Sequence, residues 1–189
     1  MAFIGAKPTN VPLTSADIQD GTINTADIAD GAVTSVKTTG VGGTNTPAFH
    51  SYLASNQTSI AGSQNVKVSI ATEVLDTDNN FASNRFTPTT AGKYLCSFTV
   101  ESSWGGSVGG YVITSQFYKN GAGVPTVLRR ITFHDYYNNG NLDLILGQSQ
   151  TAIVEFNGSS DYLEVYHNSN AATPYIEVGS NFGAFKLIE

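Results

Sequence analysis

Charge is scarce in this chain. Of 189 residues, 13% are Asp, Glu, Lys or Arg, about half the usual share, so long solvated helices lack the residues that normally coat them. Cysteine occurs once, at Cys96. That excludes an internal disulfide framework and a cysteine-built metal cluster, and in its alternating apolar setting Cys96 reads as a small buried side chain. The nine Lys and Arg residues are scattered, whereas binding nucleic acid needs grouped cations to neutralise several phosphates; no nucleic-acid partner is expected. No apolar run approaches the roughly 20 residues that cross a bilayer, so no membrane insertion is expected. The opening Met1-Ala2-Phe3-Ile4-Gly5-Ala6-Lys7-Pro8 has neither the basic region nor the long apolar segment of a secretion signal, which points to synthesis in a cytoplasm without that export route.

What replaces the missing charge is Gly, Ser, Thr and Asn, together with nine Tyr and ten Phe. At 40% hydrophobic residues the chain can build one core of ordinary size, with a modest extension. This mixture suits short strands joined by many turns, and sheet faces that pack against copies of themselves.

The first 43 residues differ from the rest. Ser15-Ala16-Asp17-Ile18-Gln19-Asp20-Gly21-Thr22-Ile23 is followed by Thr25-Ala26-Asp27-Ile28-Ala29-Asp30-Gly31-Ala32-Val33, a ten-residue repeat. Beneath it Leu13, Ile18, Ile23, Ile28 and Val33 fall at every fifth position, a spacing that neither helix nor strand periodicity fits. Single apolar rungs separated by Asp-Gly turns cannot bury themselves in one chain. Parallel copies around a common axis would close them, which is the logic of repeats. Residues 14–37 therefore read as a stalk in which this ladder is the core shared between copies, against the plainer alternative of a flexible polar linker. Residues 38–46 form a Gly/Thr-rich linker. Residues 1–13 carry Phe3, Ile4, Pro8, Val11 and Pro12, an extended, sticky segment that reads as an anchor docking on another protein. The string Ala26-Asp27-Ile28-Ala29-Asp30-Gly31-Ala32-Val33-Thr34-Ser35 resembles the short repeats of bacteriophage tail-fibre and head-fibre proteins, a resemblance that implies a slender trimeric stalk on a virion.

Residues 47–189 read as β. Val66, Val68, Ile70, Thr72 and Val74 alternate with polar residues, and Tyr94, Cys96, Phe98 and Val100 form a second such run. Tyr111 to Lys119 ends at Asn120-Gly121, a strong hairpin signal, with Val127 to Phe133 as the return strand. About eight to ten short strands predict an all-β sandwich or jelly roll. Phe49, Phe81, Phe86, Pro88, Gly92, Tyr94 and Phe98, with Phe182 and Phe185 near the end, make a pattern similar to the globular head of the complement subcomponent and tumour necrosis factor superfamily, in its phage version. The Phe-x-Pro-x-x-x-Gly-x-Tyr stretch carries most of it, with one residue more between Pro88 and Gly92 than the commonest animal spacing. The resemblance implies a ten-strand jelly roll that trimerises through aromatic faces. On the residues themselves, Pro88 stiffens the entry to the strand, Gly92 permits a tight turn, and Tyr94 and Phe98 share one face that is either core or subunit interface.

No nucleophile constellation is present, and His50, His134 and His167 read as surface or interface imidazoles. Gly105-Gly106-Ser107-Val108-Gly109-Gly110 lacks the Lys of a phosphate loop and reads as a loop tip. Asp76-Thr77-Asp78 has the opening spacing of a calcium loop, but its sixth and twelfth positions fall on Phe81 and Thr87. Calcium is the alternative there to a plain turn, and no other cofactor is expected. Trp104 and the cluster His134, Asp135, Tyr136 and Tyr137 are candidates for stacking on a host-surface glycan, against a plainer place in core or interface. The expectation is a non-enzymatic homotrimer on the virion surface, made in the host bacterial cytoplasm, with anchor, stalk and jelly-roll knob. Its place is a head fibre or capsid decoration, or a tail fibre. The rival from another class, a glycan-cleaving enzyme, would need an acidic pair such as Asp135 with Asp143 or Glu155.

Overall fold

The computed structural model describes residues 14–33, 45–58, 60–104, 110–124, 129–134, 145–171 and 173–187, apart from the side chains of Ser15, Trp104, Tyr111 and residues 129–134. Two units result, one up to Gly42 and one from Gly43.

In the first unit the ten-residue repeat is a repeat of conformation. Short 3-10 turns form at Ser15–Asp17 and Thr25–Asp27. Each is closed by an aspartate reaching back three residues: Asp17 accepts the Thr14 N–H at 2.8 Å and the Thr14 hydroxyl at 2.7 Å, and Asp27 accepts the Asn24 N–H at 2.8 Å. These bonds hold the Asp17 carboxyl below its usual range, the Thr14 backbone bond contributing most. A second turn follows in each repeat, with Thr22 N–H donating to the Gln19 carbonyl and Ala32 N–H to that of Ala29. Gly21 and Gly31 sit in these turns at φ 80° and 76°, where a side chain would be strained. Ile18, Ile23, Ile28 and Val33 all lie exposed in the single chain.

The described residues of the second unit hold thirteen strands: β1 Ala48–Tyr52, β2 Val66–Lys67, β3 Thr72–Asp76, β4 Phe81–Ala82, β5 Arg85–Phe86, β6 Gly92–Trp104, β7 Gly110–Lys119, β8 Ala122–Gly123, β9 Arg129–His134, β10 Leu146–Phe156, β11 Leu163–Ser169, β12 Pro174–Ile176 and β13 Asn181–Lys186. The count exceeds the expected eight to ten because several are two-residue pieces. Sheet I runs β10-β6-β13-β1-β3 with β12 also on β6; sheet II runs β4-β5-β11-β7-β8 with β2 on β11 and β9 on β7. All pairings are antiparallel. The main strands nest from outside in: β1 with β13, β5 with β11, β6 with β10 and β7 with β9. Successive nested pairs alternate between the two sheets, which is the winding of a jelly-roll sandwich.

The core lies between the sheets and is aromatic. Phe49 stacks on Phe81 and Phe86, with ring centroids 4.6 and 4.4 Å apart, and meets Phe182 edge-on at 4.7 Å. Phe98 meets Phe117 edge-on at 4.8 Å. Tyr94, Cys96, Phe98 and Val100 all face this core, because alternate residues of a strand share a face. Pro88 is buried, and Gly92 has φ 137°, open to glycine alone. Burial pushes the Cys96 thiol well up, so it is an inert core side chain.

The turn at Asn120-Gly121 is the two-residue hairpin its sequence predicts, with φ 52° and 80° and Lys119 opposite Ala122. The return is split: β8 takes two residues, and β9 then continues against β7 from Arg129. Asn157-Gly158 is different, for it carries the chain from β10 in sheet I to β11 in sheet II. The Asn157 side-chain oxygen accepts the N–H groups of Ser159, Ser160 and Asp161.

Two expectations are corrected. The run Val66 to Val74 is not one strand. It breaks at Val68–Ala71, where Val68 and Ile70 drop into the core, and the pieces on either side join different sheets. His167 is not a surface or interface imidazole but 1% exposed, since β11 turns Leu163, Val165, His167 and Ser169 inward together.

Candidate functional site

The sandwich has two outward faces of unlike character. On sheet I the register lines up rows across the strands. Ile153 lies opposite Leu95, Leu95 opposite Phe185, and Phe185 opposite Ala48, an apolar row spanning four strands. The next row runs Ser97, Gly183, His50 and Leu75. Between them lies an open groove of about 270 Å³, lined by the second row and by Leu95, Phe185 and Ala48 of the first. Ile153 is 62% exposed, Leu75 49% and Phe185 39%. A register shift against β1 leaves Val74 without an opposite residue, a bulge that turns both Val74 and Leu75 to solvent. Beside the apolar row, two residues further along β6 and β10, Lys93 stands opposite Glu155.

Sheet II presents polar and aromatic groups. Its outward strip on β11 is Glu164, Tyr166 and Asn168, flanked by Tyr118 and Gln116 of β7 and Lys67 of β2. The Tyr118 and Tyr166 rings lie 4.2 Å apart, tilted by 37°. Asn65 donates to the Tyr118 hydroxyl at 2.7 Å, and Asn168 donates to the Asn65 carbonyl oxygen at 3.1 Å. Glu164 is closed off from water, its side chain 3% exposed, and one of its oxygens accepts bonds from Lys67 Nζ and Arg85 Nε, both at 2.8 Å. Burial alone would raise this carboxyl, but the bonds and charges of Lys67 and Arg85 outweigh it and hold it below its ordinary value. The Arg85 guanidinium lies 3.8 Å from the centre of the Tyr162 ring, a cation–π contact.

The sequence-expected residues distribute as follows. Phe49, Phe81, Phe86, Tyr94, Phe98 and Phe182 are in the core, Pro88 and Gly92 shape the entry to β6, and Phe185 alone of this set looks outward, in the sheet I row. Trp104 closes β6 opposite Pro174, and His134 closes β9 opposite Gly110; their side chains lie outside the described residues, as do Asp135, Tyr136, Tyr137 and Asp143. The anchor residues Phe3, Ile4, Pro8, Val11 and Pro12, and the first rung Leu13, also fall outside them. At Asp76 both carboxylate oxygens accept backbone N–H groups, from Asn80 at 3.1 Å and Phe81 at 2.8 Å, so a cation would have to compete with them. The strip on sheet II escaped the sequence reading. Its partners are far apart along the chain, Lys67 and Glu164 by 97 residues, and no spacing announces them.

The geometry defines an antiparallel jelly-roll sandwich with one apolar and one polar-aromatic outward face. No family model and no curated protein matches the chain. Among solved structures it is similar to Eiger TNF from S. frugiperda, at 12% identity and a TM-score of 0.48, over 75% of this chain and 91% of that one.

Proposed function

We propose that the chain is a structural, non-enzymatic surface protein of a bacteriophage particle, a homotrimeric short fibre serving as head fibre, capsid decoration or tail fibre. Its N-terminal segment docks on another virion protein, and its jelly-roll knob faces outward for contact with the host surface. The observation that carries this reading is the apolar row Ile153–Leu95–Phe185–Ala48 on the outside of sheet I. A hydrophobic stripe crossing four strands is out of place on a solitary soluble domain and marks an interaction surface. Three copies that each turn this stripe toward a neighbour around a three-fold axis bury it in a closed assembly. The exposed aliphatic rungs Ile18, Ile23, Ile28 and Val33 of the first unit need the same remedy, which parallel copies of the chain supply. The fibre-like repeat in the sequence supports the placement on a virion.

Light scattering tests the assembly. The intact chain is expected at three times its 20.0 kDa mass, and Leu95→Glu combined with Phe185→Glu is expected to shift it toward lower mass on dilution while leaving the circular dichroism of the knob intact. A folded monomer from the unaltered chain would refute the trimer. Immunogold labelling of particles then locates the protein at capsid or tail, and its absence from particles would refute the virion role.

A further inference from the structure

We propose that the outward face of sheet II is a binding strip for an acidic saccharide chain, with Tyr118 and Tyr166 as stacking rings, Asn65 and Asn168 as hydrogen-bonding amides, and Lys67 and Arg85 as the cations that attract its acid groups. The proposal deepens the host-contact part of the function above and rests on it, but it does not need the trimer.

Charge complementarity identifies the occupant. The chain has a net charge of −6, yet this strip sets two cations against one carboxylate. That carboxylate is shut away, whereas Lys67 and Arg85 keep 28% and 42% of their side chains exposed. Each cation bonds Glu164 through a single nitrogen, so a ligand meets their remaining donors and not the acid. Glu164 thereby acts as an internal tether that fixes two cations and leaves the cluster with one net positive charge facing outward, and the ring of Tyr162 braces Arg85 from one side.

The uncharged part of the strip suits a sugar. Pyranose rings have apolar faces that stack on aromatic rings and hydroxyls that pair with amides. Tyr118 and Tyr166 supply adjacent rings, and the relay Asn168 to Asn65 to Tyr118 fixes the amides and a phenol hydroxyl in advance. Pre-alignment of this kind lowers the ordering cost of binding. Tyr166 joins the two halves, because its hydroxyl donates to the second oxygen of Glu164 at 3.4 Å.

The test titrates the intact protein with oligosaccharides of alginate, a polyuronate, and follows backbone amide resonances. Shifts are expected at Asn65, Tyr118, Tyr166 and Asn168, weakening as salt rises, with no comparable response to neutral dextran or to polyphosphate. Tyr118→Ala with Tyr166→Ala is expected to weaken alginate binding at least about tenfold, with the mass in solution unchanged, so that loss of binding is distinguishable from loss of assembly. An equal response to polyphosphate would reduce the strip to a generic anion patch, and an equal response to dextran would remove the role of the cations. Either result, or alginate-induced shifts confined to other residues, overturns the proposal. Resonances of the unaltered protein decide the matter even if the double variant misfolds.

Discussion

Phe86→Ala is expected to destabilise the knob by about 3–5 kcal/mol, the usual cost of emptying a large aromatic site that cannot collapse. Phe86 is fully buried. It belongs to sheet II through β5, yet its ring contacts are with sheet I: Phe49 at 4.4 Å, Tyr94 at 5.6 Å and Phe156 at 5.7 Å. It is therefore a rivet between the two layers, held by a strand only two residues long. Against a typical total of about 5–15 kcal/mol, a loss of this size takes much of the folded state. Urea denaturation should show a large fall in midpoint with little change in slope. A fall below about 1 kcal/mol would mean that the sheets do not depend on this aromatic contact. Phe185→Ala provides the contrast. Phe185 faces outward from sheet I, so its loss should weaken assembly while costing the single fold little.

The second large effect is expected on acidification. Burial pulls the His167 imidazole down to about 4 from an ordinary 6.5. Its Nδ1 shares a 2.9 Å hydrogen bond with the Ser115 hydroxyl, and Nε2 has no partner among the described residues. Above pH 6.5 the ring is neutral in both folded and unfolded chains and contributes no pH dependence. As the pH falls below 6.5 the unfolded chain takes up a proton that the folded one refuses. Stability then drops with a slope of about 1.4 kcal/mol per pH unit, reaching a loss of about 3 kcal/mol near pH 4. Glu164 works in a lower window: its folded carboxyl is held below its ordinary 4.5, so the stability it adds is present above that value and fades beneath it. Denaturation midpoints measured between pH 7 and 5 therefore separate His167 from Glu164. His167→Gln should flatten the decline across that interval, and a decline that persists unchanged would assign it to another group.

How much of this was legible beforehand depends on the range of the interactions involved. The Asn120-Gly121 hairpin, the inward set Tyr94, Cys96, Phe98 and Val100, and the ten-residue repeat with its Asp-Gly turns all arise from neighbours a few residues apart, and all are visible in the string of letters. The Val66 to Val74 run shows where alternation misleads. The pattern is real at each end, but nothing local says that the chain leaves one sheet for the other between Val68 and Ala71. His167 departs from the sequence expectation for a related reason. An imidazole carries no hydrophobic signal, so its place on the inner phase of β11 follows only once Leu163 and Val165 are seen beside it. The strip on sheet II was invisible, since Lys67, Arg85, Tyr118 and Glu164 come from four strands.

By itself the sequence determined an all-β chain with a distinct repetitive extension, because periodicity, turn residues and the shortage of charge are local or compositional properties. Only the tertiary structure decided which alternating positions face the core and which face water, how the nested strands divide between two sheets, and which distant side chains meet around Glu164. Those outcomes depend on strand register across the sandwich, and register is set by the joint burial of residues from many strands rather than by any one segment.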